Sequence, residues 1–186
     1  MNHSPVVIGV DGQGGSGKST FALRLQAELG ERAVIVEGDD FYRDMPDEER
    51  SKLTASEGYD QYFDWQRLEE QVLRPAHTEA ETLRYQKYDW DKAAMGMWVD
   101  RPMPAILIIE GVYTLRAEFA GLLDLRIYVE CSEPERLKRQ ADRGENEAIW
   151  IERWVAAEDF YVRNVDPKRR SDVVLDGETS ELLRNS

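Results

Sequence analysis

Cysteine is all but missing from this 186-residue chain, in which Cys131 stands alone. One thiol excludes an internal disulfide framework and a cysteine-rich zinc site, and Cys131 itself, just past a β-rich run, is expected to be an inert small apolar residue. Histidine is nearly as scarce, with His3 in the terminal segment and His77 in a loop-like stretch. Two imidazoles are poor material for a histidine-built metal centre or a His-dependent triad. Long apolar runs are lacking too. The longest, Ala105-Ile106-Leu107-Ile108-Ile109, falls far short of the roughly 20 residues a membrane helix needs. Positive charge is in deficit, with 24 Lys and Arg against 37 Asp and Glu and a net charge of -13. That argues against a nucleic-acid partner and against a protein held on anionic lipid, both of which need a basic footprint. Met1-Asn2-His3-Ser4-Pro5 shows no basic stretch followed by an apolar one, so no signal peptide and a cytoplasmic location are expected.

What is present is enough for a full core. Hydrophobic residues make up 41% of the chain, and this length is expected to fold as a single domain over residues 1–186. Five short β-rich runs stand out: Val6-Val7-Ile8-Gly9-Val10, Ala33-Val34-Ile35-Val36, the 105–109 run, Leu125-Arg126-Ile127-Tyr128-Val129 and Asp172-Val173-Val174-Leu175. Helical patterns separate them, with Phe21, Leu25 and Leu29 at helical spacing before Gly30, and further patterns over 134–143 and 148–163. Strands alternating with helices predict an α/β fold, three layers deep, around a five-stranded, mainly parallel sheet. Residues 43–104 break the alternation. They are polar and aromatic and show one convincing helix, over 66–74. Ten of the chain's eighteen aromatic residues lie between Phe41 and Trp98. A structureless loop of that length would be unusual. The segment reads either as an insert over a substrate pocket or as a small satellite core.

The strongest motif is Gly12-Gln13-Gly14-Gly15-Ser16-Gly17-Lys18-Ser19, followed by Thr20. It follows a strand and opens a helix, where a phosphate-cradling loop must sit. Glycines let the chain turn until its N–H groups converge on phosphate oxygens, and the positive end of the helix dipole points at the same anion. Lys18 is placed to reach the β- and γ-phosphates of a nucleotide, and the Ser19 hydroxyl to ligate Mg²⁺.

Two other strands end in acids, at Asp39-Asp40-Phe41-Tyr42 and Glu110-Gly111. Open α/β sheets collect ligands at the carboxyl ends of their strands. Phosphoryl transfer to an alcohol needs a carboxylate that takes the hydroxyl proton and acids that hold the metal. Asp39 fits the base and, with Glu110 and Ser19, the metal set. Arg136, Arg139 and Arg143 share one face of a predicted helix. That face either closes over ATP and neutralises transferring charge or is a solvated face paired with Glu133 and Glu135. A nucleotide-dependent switch is the alternative from another class. Its guanine-reading Asn-Lys-x-Asp does not occur in the chain.

Together these residues resemble the uridine kinase and nicotinamide riboside kinase branch of the P-loop small-molecule kinases. The resemblance rests on Gly-Gly-Ser-Gly-Lys-Ser-Thr at 14–20, Asp-Asp-Phe-Tyr at 39–42, Tyr-Phe-Asp-Trp at 62–65, Tyr-Asp-Trp at 88–90, Ile-Ile-Glu-Gly at 108–111 and Ser-Asp-Val-Val-Leu-Asp-Gly at 171–177. It implies the P-loop NTPase fold and a helical lid near 134–163. It also implies ATP-dependent phosphorylation of a primary hydroxyl, typically the 5′-OH of a nucleoside, with nicotinamide riboside or another alcohol as the alternative acceptor. By the same resemblance Asp39 serves the accepting hydroxyl, Asp64 binds sugar hydroxyls, and Tyr42, Tyr88 and Trp90 lie near base or ribose. Gly12, Gly14, Gly15, Ser16, Gly17, Lys18, Ser19, Thr20 and Arg143 contact the nucleotide, and Arg136 and Arg139 serve catalysis from the lid. The chain departs from uridine kinases at Trp65, where a histidine is usual, and in a short lid at Arg143-Gly144-Glu145.

Overall fold

The computed structural model describes residues 4–78, 80–143 and 148–183. His3 and the Gly144-Glu145 junction of the lid-like region lie outside the described residues. Strand β1 (Val6–Asp11) leads through the glycine loop into helix α1 (Lys18–Leu29), and β2 (Ala33–Glu37) follows. Three short helices come next, α2 (Asp47–Arg50), α3 (Ala55–Gln61) and α4 (Trp65–Leu68). The last runs on through a wide turn at Glu69–Leu73 into α5 (Arg74–Ala76), so that 65–76 is one continuous helical stretch. A hairpin of β3 (Thr82–Asp89) and β4 (Ala94–Pro102) precedes β5 (Ile106–Glu110) and β6 (Leu125–Glu130). Helices α6 (Glu133–Arg143), α7 (Ala148–Val165) and α8 (Pro167–Arg170) lead to β7 (Val173–Asp176) and β8 (Leu182–Leu183).

The sheet order is β2-β5-β1-β6-β7-β8. The first five strands are parallel and are the five read from the sequence. The expectation of five strands is corrected to six by β8, which pairs antiparallel with β7 through Leu182 and Leu183. Two residues give no periodicity to read. Successive side chains of the central strands serve opposite layers, as period-2 geometry requires. Val7, Leu107 and Ile109 pack with Leu68, Val72 and Leu73 of the 65–76 helix. Ile8, Val10 and Ile108 pack with Ala22 of α1.

The 43–104 segment is more ordered than its one predicted helix. It forms α2, α3, the 65–76 helix and the hairpin. The hairpin escaped the sequence reading because its register shifts between Gln86 and Tyr88, breaking the period, and because β4 is mostly exposed. α3 is closed by a capping box between Thr54 and Glu57 and packs on α7 with Gly58 against Ala157. The aromatic rings of the segment divide between a core and a cavity wall. Tyr42, Tyr62 and Tyr88 join Tyr113 and Tyr161 in a separate buried cluster, while other rings of the segment face a cavity. No described helix is long and apolar enough to cross a membrane.

Candidate active site

The order β2-β5-β1 brings three carboxyl ends side by side, and the sequence motifs sit on those ends. Glu37 pairs with Glu110 across β2 and β5, and Val10 of β1 with Glu110 on the other side. Backbones meet closely beyond the strands: a Cβ on Gly111 would lie 3.0 Å from the Gly38 Cα. Asp39, Glu110 and the loop over 12–19 therefore share one edge of the sheet.

The loop is shaped by its backbone. Gly15 and Gly17 take φ values of 78° and 96°, a region that a side chain would strain. A Cβ on Gly15 would also meet the Arg136 carbonyl at 2.5 Å. α1 then begins without a side-chain cap and with no acid in its first turn, Lys18-Ser19-Thr20. Helix starts ordinarily satisfy their exposed N–H groups with Ser, Thr, Asp or Asn at the cap, as Thr54 does for α3. An uncapped, acid-free start leaves those donors for an anion.

Around the loop lie four carboxylates whose common counter-charge is Lys18. Its Nζ stands 4.0 Å from Glu110 Oε1, which also accepts the Ser19 hydroxyl at 3.0 Å. Burial pushes the Glu110 carboxyl up; Lys18 opposes this and Asp39 adds to it. The Asp39 carboxyl is also raised by the protein packed around it, against the pull of Lys18 and Arg143. Asp39 is nonetheless exposed to solvent and lines the cavity at this edge of the sheet. Asp11 is fully buried and accepts from Gly12 N at 2.6 Å, Leu115 N at 2.6 Å and the Tyr161 hydroxyl at 2.6 Å. Glu158 of α7 accepts from Gly14 N at 2.9 Å. Burial raises both carboxyls against these bonds and Lys18.

A cavity of about 690 Å³ opens at this edge. Gly14, Gly15 and Lys18 line one end, Tyr42, Phe63, Trp90 and Trp154 the other, with Asp39 also in its wall. Tyr42 and Trp90 stack at 4.4 Å, and Trp154 Nε1 donates to the Tyr42 hydroxyl at 3.3 Å. A second cavity of about 260 Å³ lies across the loop, lined by Gly17, Thr20, Arg24, Arg139 and Gly177 among others. Arg143 lines both.

The structure thus brings Lys18, Ser19, Asp39 and Glu110 together, with Tyr42 and Trp90 across the cavity. It separates others. Tyr88 is buried and supports Tyr42 and Trp90 edge-on at 5.3 and 5.2 Å instead of lining the cavity. Asp64 does not line it either. It caps α4 by accepting from Arg67 N at 3.2 Å and pairs with Arg67 and Arg43 at 3.7 and 3.8 Å. Arg136 and Arg139 reach the loop, but they donate to main-chain carbonyls of Gly14, Gly15 and Gly177 at 3.1–3.3 Å. Arg139 also pairs with Glu135 at 2.9 Å, as on the paired face, whereas Arg136 is buried. Ser16 is buried and its Oγ has no partner. The sequence reading missed Glu158, Asp11, Tyr161 and Trp154. The available signal was Glu158 itself, an acid set inside the stripe Trp150, Trp154, Ala157, Tyr161.

Ser19, Glu110 and Asp39 offer hard oxygen donors, the chemistry magnesium prefers. Among the described residues no group of three His, Cys, Asp or Glu side chains could hold a metal by itself. The donor set therefore fits an ion that shares its ligands with phosphate.

Residues 7–181 match the Phosphoribulokinase / Uridine kinase family. The chain is 31% identical over 195 residues to a uridine kinase of Geobacillus kaustophilus, covering 94% of this chain and 87% of that one. It is 26% identical to a uridine kinase of Halobacterium salinarum, over 90% and 78% of the two chains. Among solved structures it resembles a possible uridine kinase from Bacillus stearothermophilus, with a TM-score of 0.72 and 24% identity over 95% and 91% of the chains. Phosphoribulokinase from Rhodobacter spheroides shares the fold at a TM-score of 0.65 and 21% identity, over 93% and 70%.

Proposed function

The chain belongs to the Phosphoribulokinase / Uridine kinase family, whose members are phosphotransferases acting on hydroxyl groups. From that premise we propose that it transfers the γ-phosphoryl group of ATP to the 5′-hydroxyl of a nucleoside in the cytoplasm. The carrying observation is that one cavity joins the phosphate loop, Asp39 and a wall of aromatic rings. Flat rings recognise flat rings by stacking and edge contacts, and a hydroxyl held beside the loop lies where a terminal phosphate would end.

The chain acts as one domain. Residues 43–104 cover the acceptor and the region near 134–163 closes on the nucleotide. The loop amides of 14–19 and Lys18 hold the β- and γ-phosphates, with Gly12 giving room for the turn and Thr20 at the helix start. The nucleoside part of ATP occupies the second cavity, toward Thr20 and Arg143. Asp39 accepts the proton as the acceptor oxygen bonds to the γ-phosphorus and the bond from phosphorus to the leaving ADP oxygen breaks. Arg143, facing both cavities, offsets the charge on the transferring group, while Arg136 and Arg139 brace the loop by holding its carbonyls. Tyr42 and Trp90 orient the acceptor's ring, and Tyr88 holds those two rings in place. Ser19, Glu110 and Asp39 would hold magnesium, which when bound supplies charge neutralisation across the phosphate oxygens. Positioning and exclusion of water then carry the catalysis.

The test is ADP release from MgATP across a panel of ribonucleosides, nicotinamide riboside and small alcohols. Stimulation by one class of acceptor is the expected result. Hydrolysis indifferent to every acceptor would mark a nucleotide switch instead.

A further inference from the structure

Helix α7 touches both ends of the large cavity. Trp154 and Glu158 are one turn apart on the same helix face, and both line the cavity. Trp154 belongs to the aromatic end. Glu158 belongs to the phosphate end: its Oε2 accepts Gly14 N and lies 3.8 Å from Arg136 Nη1. The next residues of α7 grip the same loop. Asp159 accepts from the Gln13 side-chain Nε2 at 3.0 Å, and the Tyr161 hydroxyl donates to Asp11. The Gly14 carbonyl is taken as well, by Gln140 Nε2 at 2.7 Å.

A carboxylate in this place is a costly choice. Glu158 is only 6% exposed, burial works against its charge, and Lys18, the Gly14 amide and Arg136 work for it. A glutamine would accept the same N–H without burying a charge. What the carboxylate adds is a negative charge on an amide of an anion-binding loop, with Lys18 as its counter-charge. A terminal phosphate would use that same pairing. Gly14 and Lys18 line the large cavity, Gly15 lines both, and Gly17 and Thr20 line the second. The phosphate that comes to Gly14 is therefore the outermost one, which the acceptor must meet.

We propose that Glu158 is a resident stand-in for the donor's terminal phosphate, holding the Gly14 amide until the γ-phosphoryl group displaces it, and so sets how the enzyme distinguishes nucleoside triphosphate from diphosphate. This rests on the kinase reading above. Two anions do not share one amide at close range without repulsion. Glu158 thus weakens binding of the triphosphate in particular. Once the phosphoryl group has left, the carboxylate returns to Gly14.

The test is calorimetric titration of wild type and Glu158→Gln with magnesium and either ADP or a non-hydrolysable ATP analogue, with no acceptor present. Glutamine keeps an acceptor for the Gly14 N–H and removes the charge. The analogue is expected to bind about tenfold tighter to the variant, and ADP to change by less than about twofold. Equal shifts for the two nucleotides, or no shift, in a variant that melts near the wild-type temperature would make Glu158 a strut and overturn the proposal. Should Glu158→Gln fail to fold, Glu158→Asp withdraws the carboxylate by one methylene. A tightening larger for the analogue than for ADP is again expected, and equality again overturns it. If neither nucleotide binds even the wild type, the kinase reading falls and this proposal with it.

Discussion

The two ends of the large cavity are made differently. The phosphate end is built from backbone: glycines with left-handed dihedrals, the bare start of α1 and strand ends fixed by a parallel register. The aromatic end is built from side chains delivered by four separate pieces of chain: Tyr42 after β2, Phe63 before α4, Trp90 at the hairpin turn and Trp154 on α7. Backbone chemistry is the same for every triphosphate, so it tolerates little change and serves any donor. Side-chain walls vary residue by residue, so that end can be refitted to a new acceptor while the other stays as it is. Division of labour of this kind makes clear predictions.

The largest effect is expected at the phosphate end. Lys18→Ala removes the shared counter-charge of four carboxylates and should lower turnover roughly a thousandfold, measured by coupled ADP release. Asp39→Asn should lower kcat by about a hundredfold or more and change nucleotide affinity far less, since Lys18, Ser19 and the loop amides remain in place. With Asp39 as the proposed base, its ionised form is the active one, and burial raises its carboxyl. Activity should therefore be gained as pH rises through a value above the ordinary 3.8. That acid limb of kcat/KM should vanish in Asp39→Asn. Retention of near-normal turnover in this variant would remove Asp39 from the base position.

At the aromatic end, Trp90→Ala should raise the acceptor KM about tenfold while the KM for ATP stays put. An equal rise in both would break the division between the ends. The smallest effect is expected at Asp64. Asp64→Ala removes the cap of α4 and should cost about 1 kcal/mol of stability, read from chemical denaturation, with acceptor KM little changed. A large rise in acceptor KM would support the sugar-binding role that the family resemblance implies.

The same contrast explains what could be read in the chain of residues. Gly12 to Ser19 announces itself because its function is tied to residue type at fixed spacing, and the strands β1, β2, β5 and β6 because a doubly covered parallel strand is a continuous apolar run. The hairpin stayed hidden because β4 has no buried face to impose alternation. Asp64 is named as a sugar ligand through the family resemblance alone, and its cap of α4 is a second use of the same carboxylate that a resemblance does not carry. The contacts of Glu158 with Gly14 and of Tyr161 with Asp11 join residues 144 and 150 apart, and no local pattern carries such a pairing. Only the oddity of an acid in an apolar stripe hinted at it.

Gly177 presses against the foot of the phosphate loop: a Cβ there would fall 1.8 Å from the Ser16 carbonyl oxygen. Gly177 N donates to the Glu130 carbonyl at 2.7 Å, and Arg139 bridges Gly177 and Gly15. During synthesis the glycine-rich loop must wait for everything from β2 to β7 to emerge before Gly177 can reach it. Folding of the nucleotide site is thus expected to be a late, long-range event. A nascent chain halted before residue 170 would have made every residue of the loop and still lack a finished cradle.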